Sequence, residues 1–152
     1  MEKRKTQGWM TRAIHAGERP DPSTGASAPA LHMSSTFVTD QIAGFSAHDQ
    51  EGDAPYLYGR WANPNVRGLE QKIASLEETE DCVCLASGMA AATAIFLTFL
   101  SAGDHVIVSD VSYAGVAELA RETLPRMGII VSTVNLSDLD ALKAAIRPNT
   151  KL

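Results

Sequence analysis

The sequence predicts a mostly parallel α/β fold from residue 63 onward, preceded by an extended arm over residues 1–62. Three observations carry this. Short apolar runs rich in β-branched residues alternate with segments whose apolar residues recur at helical spacing, and strand–helix repetition of that kind builds a parallel sheet with right-handed crossovers. Capping residues mark several helix starts. A composition 45% hydrophobic and 20% charged is that of a globular chain with a real core.

The arm comes first. Residues 1–55 show little periodicity and are rich in Pro, Gly, Ser, Asp and Ala, as in Arg19-Pro20-Asp21-Pro22-Ser23-Thr24-Gly25-Ala26. This reads as extended chain with turns. A segment so long needs a surface to lie on, and a partner subunit is the surface expected. Asn63 then caps and Pro64 suits the first helical position, with Val66, Leu69, Ile73 and Leu76 on one face of a helix to about residue 78. Residues 81–87 read as a short apolar strand. Gly88 or Met89 opens an alanine-rich helix to about residue 100, closed by Ser101-Ala102-Gly103-Asp104. Residues 105–110 form a second strand, 114–125 a helix and 129–135 a third strand. Ser137-x-x-Asp140 resembles a capping box for a helix carrying Leu139, Leu142 and Ile146 and ended by Pro148. Thr150-Lys151-Leu152 starts a further strand, so the chain reads as the N-terminal part of a longer enzyme.

Charge and hydropathy exclude several classes. A net charge of −5 and a pI near 5.3 leave no footprint for nucleic acid, and Lys3, Arg4 and Lys5 are too short a cluster to change that. The first twenty residues have no apolar signal-peptide core, and the longest apolar stretch, residues 90–100, falls short of the ~20 residues that span a bilayer. The expected location is the cytoplasm, with no membrane partner. Cys82 and Cys84 share one face of the first strand and read as buried thiols in a reducing compartment, since no further metal ligands accompany them.

The chemistry sits where helices follow strands, because there the free helix N–H groups point outward. Ser87, Gly88 and Met89 hold that place: Gly88 lets an anion approach the backbone, and two amides and the Ser87 hydroxyl can donate to it. By themselves they are also an ordinary capped turn. Tyr58 and Arg60 bring a phenol and a guanidinium within reach of one small anion, although Tyr-x-Arg alone is commonly a solvated turn. Tyr113 follows the second strand, where its ring can stack on a flat cofactor or serve as a core aromatic. Together these residues point to pyridoxal phosphate. No Gly-x-Gly-x-x-Gly, Gly-x-x-x-x-Gly-Lys-Ser/Thr or Gly-x-Ser-x-Gly occurs, so dinucleotide, nucleotide and serine-hydrolase readings drop.

Thr11-Arg12-Ala13-Ile14-His15-Ala16-Gly17, Ser34-Ser35-Thr36-Phe37, Tyr58-x-Arg60-x-x-Asn63-Pro64, Leu69-Glu70, Ser87-Gly88-Met89 and Gly103-Asp104 occur in this order. In that order and spacing they resemble the cystathionine γ-synthase, cystathionine γ-lyase and methionine γ-lyase family, the transsulfuration branch of fold-type I pyridoxal phosphate enzymes. The resemblance implies an aspartate-aminotransferase-like fold and γ-elimination or γ-replacement on sulfur amino acids or O-acylhomoserine. It implies that Tyr58 and Arg60 bind the cofactor phosphate of a neighbouring subunit, so that dimers share active sites and pair into homotetramers. It further implies that Gly88 and Met89 bind their own subunit's phosphate, and that Tyr113 stacks on the pyridine ring and takes part in proton transfer.

The chain departs from the family pattern at several points. Tyr113-Ala114-Gly115-Val116 replaces Tyr-Gly-Gly-Thr or Tyr-Gly-Cys-Thr, and the missing cysteine at Gly115 weakens a methionine γ-lyase assignment. Asn65 stands for the usual Thr and Ala30 for a common Pro. None of the lysines, Lys3, Lys5, Lys72, Lys143 and Lys151, lies in the Ser-x-Thr-Lys context that carries the cofactor. That lysine and the aspartate facing the pyridine nitrogen are expected beyond Leu152, and this chain alone is expected to be inactive. Synthase, lyase and O-acetylhomoserine sulfhydrylase activities stay open, as does a catalytically inactive binding or regulatory module on the same fold.

Overall fold

The computed structural model describes residues 7–40 and 56–152. Lys3, Arg4 and Lys5, and the arm between residues 41 and 55, lie outside the described residues. The chain packs as two compact units, Met1–Cys84 and Leu85–Leu152.

The first unit joins arm and helix. Where only extended chain was expected, Trp9–His15 forms a helix, α1. Its N-cap, Gly8, makes no side-chain cap bond, and Trp9, Met10 and Ile14 are exposed, so neither a cap nor a periodic apolar face announces it. Contact with the second helix, α2 (Pro64–Glu77), holds it instead. Arg12 donates to the Ser75 carbonyl at 2.6 Å and pairs with Glu78 at 3.1 Å, while Lys72 donates to the Ile14 carbonyl at 3.1 Å and pairs with Glu18. The α2 start is as the sequence predicts: Asn63 is extended at φ −136°, accepts the Asn65 N–H at 2.9 Å, and is followed by Pro64. The helix ends on Glu78, which takes the left-handed conformation at φ 58°.

The expected strand over residues 81–87 is not formed. Side chains take the place of strand carbonyls: the Cys82 amide donates to the Asp81 carboxylate at 2.8 Å, and the Cys84 amide to Glu70 on α2 at 2.9 Å. Arg67 bonds Asp81 at 2.6 Å, and that bond, then the Cys82 amide, holds the Asp81 carboxyl below its usual pKa. Both cysteines are partly buried and outside any disulfide, and desolvation pushes the Cys84 thiol pKa up.

The second unit is α/β. Helix α3 (Gly88–Phe99) leads to strand β1 (His105–Ser109). Helix α4 (Ala114–Glu118), a π-helical turn (Leu119–Thr123) and the short α5 (Leu124–Arg126) lead to strand β2 (Ile130–Val134), and α6 (Leu139–Ala145) follows. β1 and β2 are parallel, in register from His105–Ile130 to Ser109–Val134. On the other edge of β1, the His105 amide donates to the Asn149 carbonyl at 2.8 Å, the Lys151 amide to the His105 carbonyl at 2.9 Å, and the Ile107 amide to the Leu152 carbonyl at 2.9 Å. These bonds are the start of the further strand expected at Thr150-Lys151-Leu152.

Two details differ from the sequence reading. The single helix expected over 114–125 is interrupted by the π turn, because Pro125 has no N–H to return to the Arg121 carbonyl and the hydrogen-bond ladder must widen there. The cap of α6 is Asp138 rather than Ser137: its carboxylate accepts the Asp140 and Ala141 amides, both at 3.0 Å. Ser137 is held outside the helix, its amide donating to Asn135 Oδ1 at 3.0 Å. The core of the unit joins Phe96 of α3 and Leu100, the residue that ends it, to Val106 and Val108 of β1, with Ala120, Leu124 and Ile129 closing it. Among the described residues no helix is long and apolar enough to cross a membrane.

Candidate cofactor site

In the second unit, α3 begins on Ser87, extended at φ −159°, whose Oγ accepts the Ala90 amide at 3.1 Å. The Ala91 amide bonds the Ser87 carbonyl at 3.0 Å. The Gly88 and Met89 amides, the first two of the helix, therefore make no bond among the described residues, as geometry dictates for a helix start. A Cβ built on Gly88 meets nothing within 4 Å, so the backbone there is open to an anion. Partial positive charge from the aligned peptide dipoles gathers at the same point.

Tyr113 is the residue before α4, reached from β1 through Asp110, Val111 and Ser112. Its carbonyl accepts the Ala117 amide at 3.0 Å and its side chain is 72% exposed, so it is not a core aromatic here. The Tyr113 ring and the Met89 side chain both come close to Gly115. A Cβ on Gly115 would lie 2.9 Å from Met89 Sδ and 3.1 Å from Tyr113 Cε1. The fold thus brings Ser87, Gly88, Met89 and Tyr113 together. Gly115, noted in the sequence only as a departure from a motif, is the small residue that permits the approach.

Tyr58 and Arg60 belong to the first unit. Tyr58 bridges Thr36 of the arm in antiparallel fashion, the Gly59 amide donates to the Ser35 carbonyl at 2.7 Å, and the Phe37 amide to the Leu57 carbonyl at 3.0 Å. The Trp61 and Ala62 amides turn back onto the Tyr58 carbonyl at 2.9 and 3.1 Å. Arg60 Cζ stands 5.2 Å from the centre of the Tyr58 ring, and Trp61 meets that ring edge-on at 6.1 Å. Phenol and guanidinium are thereby held side by side, both exposed.

The profile of the Cys/Met metabolism PLP-dependent enzyme family matches residues 10–152. The chain belongs to this family. Relatives in the Cys/Met metabolism family include the cystathionine gamma-synthase of Mycobacterium bovis, 39% identical over 145 residues, covering 95% of this chain and 36% of that protein. The O-acetyl-L-homoserine sulfhydrylase of Corynebacterium glutamicum is 40% identical over 95% of this chain and 33% of its own. The crystal structure of cystathionine gamma-lyase from Lactobacillus plantarum, complexed with L-serine, superposes with a TM-score of 0.80 at 35% identity over 95% of this chain and 35% of that one. The chain thus spans about a third of the length of the relatives it matches. The family cofactor, pyridoxal phosphate, suits the residues present: unbonded amides beside an open Gly88 match its phosphate, and the exposed Tyr113 ring its flat heterocycle.

Proposed function

We propose that this chain is the amino-terminal part of a pyridoxal-phosphate-dependent enzyme performing γ-elimination or γ-replacement on sulfur amino acids or O-acylhomoserine. The observation that carries the reading is the close approach of both the Tyr113 ring and Met89 to Gly115, in the unit that holds the unbonded amides of Gly88 and Met89. Residues 1–62 act as an arm reaching a neighbouring subunit, and residues 63–152 begin the cofactor-binding domain. The assembly is a homotetramer of dimers with shared sites, working in the cytoplasm.

When bound, the cofactor supplies an electron sink for charge developing on substrate carbon. The residues of this chain bind and orient. The Gly88 and Met89 amides hold the phosphate, and the Ser87 hydroxyl, which accepts from Ala90, still has its own proton to donate. Arg60 adds a planar pair of charge-assisted donors, and Tyr58, stacked against it, adds a hydroxyl. Tyr113 covers the ring of the cofactor and gives a proton to the departing γ substituent, a transfer that requires hydrogen-bond reach and an exposed phenol. The acceptor, water or a thiol, then decides the product.

Product analysis on the full-length protein tests this, using cystathionine, methionine and an O-acylhomoserine with and without an added thiol. A cofactor absorbance band and release or exchange of the γ group are expected. A full-length protein with no such band and no product would instead be the inactive module.

A further inference from the structure

Asn65 lies in the first turn of α2, and its carboxamide is used at both ends. Oδ1 accepts the His32 amide at 2.8 Å and Nδ2 donates to the Ala30 carbonyl at 2.8 Å. Asn63 completes the grip, its Nδ2 donating to the His32 carbonyl at 3.1 Å while its Oδ1 caps the helix through the Asn65 amide at 2.9 Å. Further along the arm, the Thr36–Tyr58 bridge and its flanking bonds tie residues 35–37 to 57–59. The turn carrying Arg60 is therefore fastened on both sides, by backbone pairing before it and by two asparagines after it. Its fit is close: a Cβ on Gly59 would sit 3.2 Å from the Ser34 carbonyl oxygen.

We propose that Asn65, assisted by Asn63, is a positioning residue for phosphate binding by Tyr58 and Arg60, locking the arm to α2 so that the turn between them keeps one conformation. This rests on the phosphate role proposed above. The paired segments are exposed or only half-buried and contribute nothing to a buried core, so backbone pairing alone would fray, whereas a helix-borne carboxamide adds a rigid anchor. Only a carboxamide presents a donor and an acceptor side by side to match a carbonyl and an amide two residues apart. A Thr hydroxyl both donates and accepts, but through one oxygen, where the carboxamide sets a separate atom against each partner.

The test uses the full-length protein stripped of cofactor and measures dissociation constants for pyridoxal phosphate and for pyridoxal, which lacks the phosphate. The pyridoxal constant divided by the pyridoxal phosphate constant reads phosphate recognition alone. Asn65→Ala is expected to lower that ratio about threefold to tenfold, the effect of one or two hydrogen bonds, with pyridoxal affinity unchanged. Arg60→Ala should lower it further, and adding Asn65→Ala to Arg60→Ala should then cost less than Asn65→Ala does alone, since only Tyr58 is left to misplace. Should Asn65→Ala fail to fold, Asn65→Thr is read the same way, with a smaller drop. An unchanged ratio in the Asn65 variants beside a lowered one in Arg60→Ala overturns the clamp and spares the phosphate reading. An unchanged ratio in Arg60→Ala removes the phosphate reading, and the clamp with it. Equal losses for both ligands in the Asn65 variants mark a merely structural residue and overturn the proposal.

Discussion

At the residue scale, Gly115 sets two effects against each other. An added Cβ in the first turn of α4 contributes ~0.5–1 kcal/mol through helix propensity, yet here it meets Met89 Sδ at 2.9 Å and Tyr113 Cε1 at 3.1 Å. Both atoms end movable side chains, so they give way and the fold survives. Gly115→Ala should leave the melting temperature of the full-length enzyme within a few degrees while lowering turnover roughly tenfold, because a small misplacement of a reacting group is costly. Tyr113→Phe keeps the ring and loses the phenol: cofactor affinity is expected to hold and turnover to fall, and an unchanged rate would remove the proton-donor role. The position of Tyr113 between β1 and α4 was legible from the strand before it, whereas the strand expected ahead of Ser87 does not form and only the helix cap marks that turn. The role of Gly115 was not legible, since its value lies in what a side chain would strike.

At the scale of elements, legibility followed local chemistry. Helix α2 could be read from Asn63 and Pro64 because cap and first turn are set by neighbouring residues. Helix α1 could not, because partners far along the chain, Lys72, Ser75 and Glu78, hold it. Residues 81–84 have a strand's composition but bond side chains of α2 and of Asp81, a choice no propensity encodes. The packing of α1 on α2 is open to test at Gly17, which lies at φ 74° and whose Cβ would run into the Gly68 carbonyl. Gly17→Ala should destabilise this packing by ~1–2 kcal/mol or more from the left-handed strain alone, seen as faster proteolysis of the arm. In the sheet, His105 is fully buried, its ring bonded to Thr150 Oγ1 at 2.7 Å and Ser132 Oγ at 2.9 Å, with Arg147 also donating to Ser132 at 3.0 Å. Desolvation first, then Arg147, lowers its pKa below the ordinary 6.5. The unfolded ring takes a proton below about 6.5 and the folded ring only at lower pH, so stability is whole above that value and declines as pH falls through it. Denaturation midpoints between pH 8 and 5 should show this slope, and His105→Gln should flatten it.

At the scale of the whole molecule, the sequence disclosed the fold class and the family, since alternation and motif order are spread over the entire chain. What it could not disclose is how an irregular arm is fastened, because exposed backbone pairing leaves no apolar period to read. Of the residues proposed to bind cofactor, Tyr58 and Arg60 belong to the first unit and Ser87, Gly88, Met89 and Tyr113 to the second, and a ligand held only by folded chain stabilises the fold. Losing cofactor from the assembled protein is therefore expected to lower its melting temperature, by an amount that grows with the excess of ligand over its dissociation constant. A subtler dependence runs through the last residues. Thr150 supplies a hydrogen bond to an imidazole that water does not reach, so Thr150→Val would strand a polar atom in the interior at a penalty of ~1–3 kcal/mol. One missing hydroxyl would here loosen the sheet from its middle outward.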